Sequence, residues 1–151
     1  MNDSFGSFVK QLIKQRTCDG QINDKGQIYD PGDIKQLGFL LGCELVEDRA
    51  KTPKKLEAFL LDLKRVILCQ FTLYKDTALI ELCDKNKKTI FSSSLSQNIL
   101  EVVDFETLAN KKAIVDGYIQ GIVVDFETLA NKKAIADGYI QGIIALCYPE
   151  Y

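Results

Sequence analysis

Phe5, Phe8, Val9, Leu12 and Ile13 recur at the spacing of one helical face, with Lys10, Gln11, Lys14 and Gln15 on the other. Two phenylalanines and little positive charge favour a helix docked on a core over one lying on a membrane surface. Residues 19–32 are rich in Asp, Asn and Gly and predict a loop. They have the composition of a calcium loop, but with Gly26 at the turn Gln21 falls first and Gly32 replaces the bidentate Glu. Calcium is excluded on that mismatch. Asp30-Pro31 then predicts a helix start, a capping side chain followed by proline at the first helical position. Ile34, Leu37, Leu41 and Leu45 form the stripe of this helix. Gly38 and Gly42, one turn apart, leave room for a second helix to approach closely. Thr52-Pro53 repeats the start signal, and Leu56, Phe59, Leu60 and Leu63 predict the buried face of the next helix.

The pattern then changes to period two. Ile67, Cys69, Phe71 and Leu73 alternate with Gln70, Thr72 and Tyr74; Ala78, Ile80 and Leu82 alternate with Thr77, Leu79, Glu81 and Cys83. A turn at Lys75-Asp76 would pair Leu73 with Ala78, Phe71 with Ile80 and Cys69 with Leu82, and is expected to put all the apolar residues of both strands on one face. Cys69 and Cys83 then lie on opposite faces, which argues against a disulfide between them. A third strand is expected from Thr89 to about Ser93, with the serines at 92–94 forming strand end and loop rather than a nucleophile.

Residues 102–122 and 123–143 are one 21-residue segment written twice, with Val115 against Ala136 as the sole difference. Solenoid repeats diverge and usually come in threes or more, so two near-identical copies indicate a duplication or insertion within a single domain spanning 1–151. In the first copy Asp104 is placed to cap a helix whose arc holds Phe105, Leu108, Val115, Ile119 and Ile122. Asp116-Gly117 offers a competing hairpin turn. Helix is favoured because Leu108, Val115, Ile119 and Ile122 keep one face through it, although each interior glycine costs about 1 kcal/mol. A step of 21 residues turns an ideal helix through about 2100°, some ~60° short of whole turns, while lengthening it by about 31 Å. One copy is expected to dock and the other to be displaced, with domain swapping as the attendant hazard.

Composition removes more chemistry than it suggests. Of 151 residues 46% are hydrophobic and 26% charged, the net charge is −2 and the pI near 5.2, ordinary for a globular domain and not for a nucleic-acid binder. The short basic clusters (Lys54-Lys55, Lys64-Arg65, Lys85/Lys87/Lys88, Lys111-Lys112 and Lys132-Lys133) sit among acids and read as solvated surface. No apolar run is long enough to span a membrane, and no secretory signal is visible. Cys18, Cys43, Cys69, Cys83 and Cys147 are odd in number and widely spaced, which points to a reducing, cytoplasmic setting. Histidine is absent. The commonest general base and transition-metal ligand is therefore missing, and neither a catalytic site, a metal site nor a cofactor is expected.

Three features in order resemble the small subunits of the TRAPP vesicle-tethering complex, whose fold includes the four-vinyl-reductase ligand-binding domain of bacteria and archaea. They are the run IKQLGFLLGCELVED (34–48), the strand–turn–strand TALIELCDKNKKTIF, and the late helix with G-Y-I-Q-G. The matching positions are Gly38, Phe39 and Gly42, then Gly117 and Gly121, or Gly138 and Gly142 in the second copy. The chain departs from the family in stopping soon after the last helix, and in lacking the cysteine and histidine metal ligands of some prokaryotic members. The resemblance implies an α+β subunit that dimerises through helices and can enclose an apolar ligand; it implies no catalysis.

The sequence thus predicts an α+β fold: N-terminal helices, a small antiparallel meander and a long C-terminal helical segment. The expected function is a non-enzymatic protein-interaction or assembly subunit with a protein partner or a second copy as its target. The alternative is a sensor with an apolar pocket lined by leucines and Cys43 or Cys69. An enzyme using carboxylates or a free thiol comes third, and would need a cysteine of depressed pKa in a cleft.

Overall fold

The structure is a computed structural model that describes residues 4–18 and 22–133, with side chains placed over 4–15 and 22–129. Among the described residues, five helices and three strands follow in the order α1 (Ser4–Cys18), α2 (Pro31–Arg49), α3 (Pro53–Leu63), β1 (Leu68–Leu73), β2 (Ala78–Cys83), β3 (Thr89–Leu95), α4 (Gln97–Val102) and α5 (Leu108–Lys133). The fold is α+β.

Local chemistry starts the helices where the sequence places the signals. The Asp30 carboxylate accepts a hydrogen bond from the Gly32 amide at 2.9 Å ahead of α2, and the Thr52 hydroxyl one from the Lys55 amide at 3.2 Å ahead of α3. Ile34, Leu37, Leu41 and Leu45 are all buried, as are Leu56, Phe59 and Leu63. Helix α1 docks through Leu12, with Phe5, Phe8 and Val9 half-buried against the core. Ile13 does not join them; it is exposed, because the contact face of α1 is narrower than its apolar arc.

The sheet is antiparallel in the order β1-β2-β3. Its first hairpin has the expected register, Leu73 opposite Ala78, Phe71 opposite Ile80 and Cys69 opposite Leu82, closed by the Tyr74 amide on the Thr77 carbonyl at 2.8 Å. Ile67 falls just before β1 and is exposed, so it contributes nothing to the inner face. Strand β3 runs on to Leu95, which corrects the reading of Ser92–Ser94 as strand end and loop. Cys69 and Cys83 are not joined by a disulfide. Cys83 pairs across from Leu68 on the face away from Cys69, yet it too is buried.

Two elements were not legible from hydropathy. Helix α4 is a six-residue turn of helix, too short for periodicity to show. After it, Val103 lies beside Ile28 in a parallel bridge, and Ile28 also bridges Ile22. The Ile28 amide donates to the Val102 carbonyl at 2.7 Å, and the Asp104 amide to the Ile28 carbonyl at 2.8 Å. That bridge ties the loop before α2 to the first copy of the repeat.

Candidate functional site

Helices α2 and α5 cross at their glycines. A Cβ on Gly38 would strike the Ile114 carbonyl oxygen and stand 2.9 Å from the Tyr118 nitrogen; one on Gly42 would strike the Tyr118 carbonyl and stand 2.8 Å from the Ile122 nitrogen. From the other side, a Cβ on Gly117 would meet the Lys35 carbonyl and lie 3.0 Å from the Phe39 nitrogen. One on Gly121 would meet the Phe39 carbonyl and lie 3.1 Å from the Cys43 nitrogen. Every obstacle is helix backbone, which cannot rotate away as a side chain can. Each of the four glycines is therefore required for so close an approach. Gly138 and Gly142 lie outside the described residues.

The crossing is seated on the sheet by Tyr118, fully buried, whose hydroxyl shares a 2.8 Å hydrogen bond with Ser93. Around it α5 buries Val115, Ile119 and Ile122 and then Val123 and Phe126 of the second copy. This corrects the expected arc at its start. Leu108 is 53% exposed, and Phe105, although buried, precedes the helix. Asp104 is not the cap either: it accepts from the Glu106 amide at 2.9 Å in a local turn, while Thr107 receives the Asn110 amide at 3.2 Å. Threonine is a preferred N-cap residue, which is the local signal that Thr107 offered. Asn110 is itself buried, its amide nitrogen donating to the Asp104 carbonyl at 2.7 Å. Beside Gly117, Asp116 Oδ1 is buried without a hydrogen-bond partner among the described residues.

The outer rim of the crossing mixes apolar and acidic side chains. Phe39 and Cys43, one turn apart on α2, are half-buried, and Val124, just past Gly121 on α5, is 43% exposed. The Cys43 thiol approaches the Gly121 carbonyl at 3.6 Å. Its pKa is pushed up from 9.0 to about 11, first by burial and then by the negative charges of Asp125 and Glu47. Burial also raises the Cys83 thiol, against a hydrogen bond with Thr89 that pulls it down. Both shifts run away from thiolate, the opposite of what a nucleophilic cysteine needs.

Two clefts among the described residues have mixed polar and apolar linings. One of about 400 Å³ is lined by Asp48, Arg49, Lys51, Lys55, Phe59 and Phe91 among others, with the Arg49 guanidinium 5.6 Å from the centre of the Phe91 ring. A second, of about 290 Å³, shares Asp48 and Arg49 with it and is also lined by Glu44 and Ser92–Ser94. Neither is lined by Cys43 or Cys69. Among the described residues no cluster of three or more His, Cys, Asp or Glu is placed to hold a metal ion, and no helix is long and apolar enough to cross a membrane. No family model, curated protein or solved structure matches the chain.

Proposed function

We propose that this chain is a non-enzymatic interaction or assembly subunit whose working surface is the outer rim of the α2–α5 crossing. The observation that supports it is that Phe39 and Cys43 on α2 and Val124 on α5 stay partly exposed on a helix pair held at backbone contact. A partner meeting this rim finds a preorganised surface and orders few side chains on binding. Kinship with the TRAPP small-subunit and four-vinyl-reductase fold belongs to the same proposal, as does a cytoplasmic setting, supported by the odd number and wide spacing of the cysteines. Self-association is the form tested first. Sedimentation equilibrium across a hundredfold range of concentration is expected to give a mass above the 17.0 kDa of one chain, and Val124→Arg to return it to that value. A mass of one chain at every concentration would withdraw self-association.

A further inference from the structure

The register of the sheet decides which backbone groups of β3 stay open. The Tyr74 amide donates to the Thr77 carbonyl, so in the antiparallel alternation the backbones of Thr77, Leu79 and Glu81 turn toward β1. Those of Ala78, Ile80 and Leu82 turn toward β3, where they meet Leu95, Ser93 and Phe91. Ser92 and Ser94 are left with their amides and carbonyls directed out of the sheet, and both residues are exposed. Among the described residues no strand lies beyond β3. Little blunts this edge: Thr89–Leu95 holds neither a charge nor a proline, and its irregularity falls at the Thr89 end.

A trough follows the same edge. The cleft lined by Ser92–Ser94 and the larger one lined by Phe59 and Phe91 join at Asp48 and Arg49. Three consecutive strand residues line it, so it runs along the backbone edge, a shape that suits an extended chain. Asp48 pairs with Lys51 at 3.9 Å and Asp62 with Arg65 at 3.1 Å, whereas Arg49 and Lys55 have no acidic partner among the described residues. We infer that β3 is a docking edge for an extended segment of a partner protein, which adds a fourth strand and sets an acidic side chain over Arg49. Main-chain bonds to Ser92 and Ser94 supply the affinity, and the side chains on the trough side supply the choice of partner. Alternate side chains of a strand stand about 7 Å apart. Apolar residues two before and two after the acid therefore fall in the two clefts, one beside Leu41 and Leu45, the other beside Ala58 and Phe59. Glu44 disfavours a second acid at its end of the trough. The β3 of a second copy is a poorer occupant, because Thr89–Leu95 brings no acid to Arg49. The trough shares no residue with the rim of Phe39, Cys43 and Val124, so either surface can work without the other.

The probe is a capped, fluorescein-labelled peptide, TVTETVT, titrated with the full chain and with its Val124→Arg variant, so that association at the rim does not enter. Fluorescence anisotropy is expected to show saturable binding to both. Replacing the peptide's glutamate by glutamine, or Arg49→Gln in the protein, should weaken it about fivefold. Two twins N-methylated at alternate residues in opposite sets should differ, the one whose methyls face β3 losing binding and the other keeping it. Hydrogen exchange at the Ser92 and Ser94 amides should slow when the parent peptide is added. Ser94→Pro, which removes an outward amide and none that faces β2, should abolish binding with the Tm little changed. The docking edge is ruled out if the two methylated twins bind alike, or if no saturable binding appears up to millimolar protein. It is equally ruled out if the Ser92 and Ser94 amides are already protected in the chain alone, since the edge is then filled. An acidic partner is ruled out if Arg49→Gln with Lys55→Gln leaves the affinity unchanged.

Discussion

Residues 102–112 and 123–133 both read VVDFETLANKK, and the fold gives them different structures. The first stretch ends α4, turns extended at Val103, packs Phe105 on Phe71 with ring centres 5.2 Å apart, and enters α5 only after Thr107. The second is helical throughout and sets Phe126 against Phe59 at 6.4 Å. Local propensity is identical, so the difference lies in what precedes each copy and what it meets. The second follows Tyr118–Ile122, already in a helix, where adding residues costs far less than nucleating a new helix. The first arrives from a short helix and finds the Ile28 amide and carbonyl waiting, and these accept only one strand.

The largest test of this contrast is one in which the copies should agree. Phe105 is 2% and Phe126 0% exposed, so alanine at either is expected to destabilise by about 3–5 kcal/mol in urea unfolding. A negligible loss at Phe126 would show the second copy to be peripheral. The copies should part at the next position. Val103→Ala, at a residue 1% exposed, should cost about 2 kcal/mol. Val124→Ala, at its 43% exposed twin, should stay within about 0.5 kcal/mol. The threonines differ by less. Thr107→Ala removes a cap and should cost about 1 kcal/mol. Thr128, whose hydroxyl bonds back to the Val124 carbonyl at 3.1 Å, should be neutral or gain a few tenths of a kcal/mol as alanine.

The aspartates give the smallest effect. Asp125 helps hold the Cys43 thiol protonated, so Asp125→Asn should bring Cys43 alkylation to a lower pH, whereas Asp104→Asn should leave it unchanged. The sign for stability follows. With the folded pKa raised from 9.0 to about 11, the thiol favours the fold below pH 9 and that contribution is lost as pH climbs through this window. Cys43→Ser should flatten the loss.

Much of the fold was legible in particular residues. Asp30-Pro31 and Thr52-Pro53 mark helix starts because capping and the fixed proline angle act within a few residues. The alternation around Lys75-Asp76 set the hairpin register because period two and a short turn leave one arrangement with Cys69, Phe71, Ala78, Ile80 and Leu82 on the same side. Of the crossing, the sequence showed the glycine steps at 38/42 and 117/121 but not that they interlock with one another. Tyr118, Ser93 and Asn110 escaped notice because a buried polar group is recognisable only by its partner, and those partners lie up to 25 positions away.

The repeat separates the two kinds of information most cleanly. By itself the sequence determined the caps of α2 and α3, the strand register and the one-repeat shift that holds nearly the same helical phase, since each depends on neighbours along the chain. Which copy of VVDFET became extended and which became helix was decided only by tertiary structure. One Ile28 edge and one α2 groove each admit a single occupant, and identical residues have no local means of choosing between them.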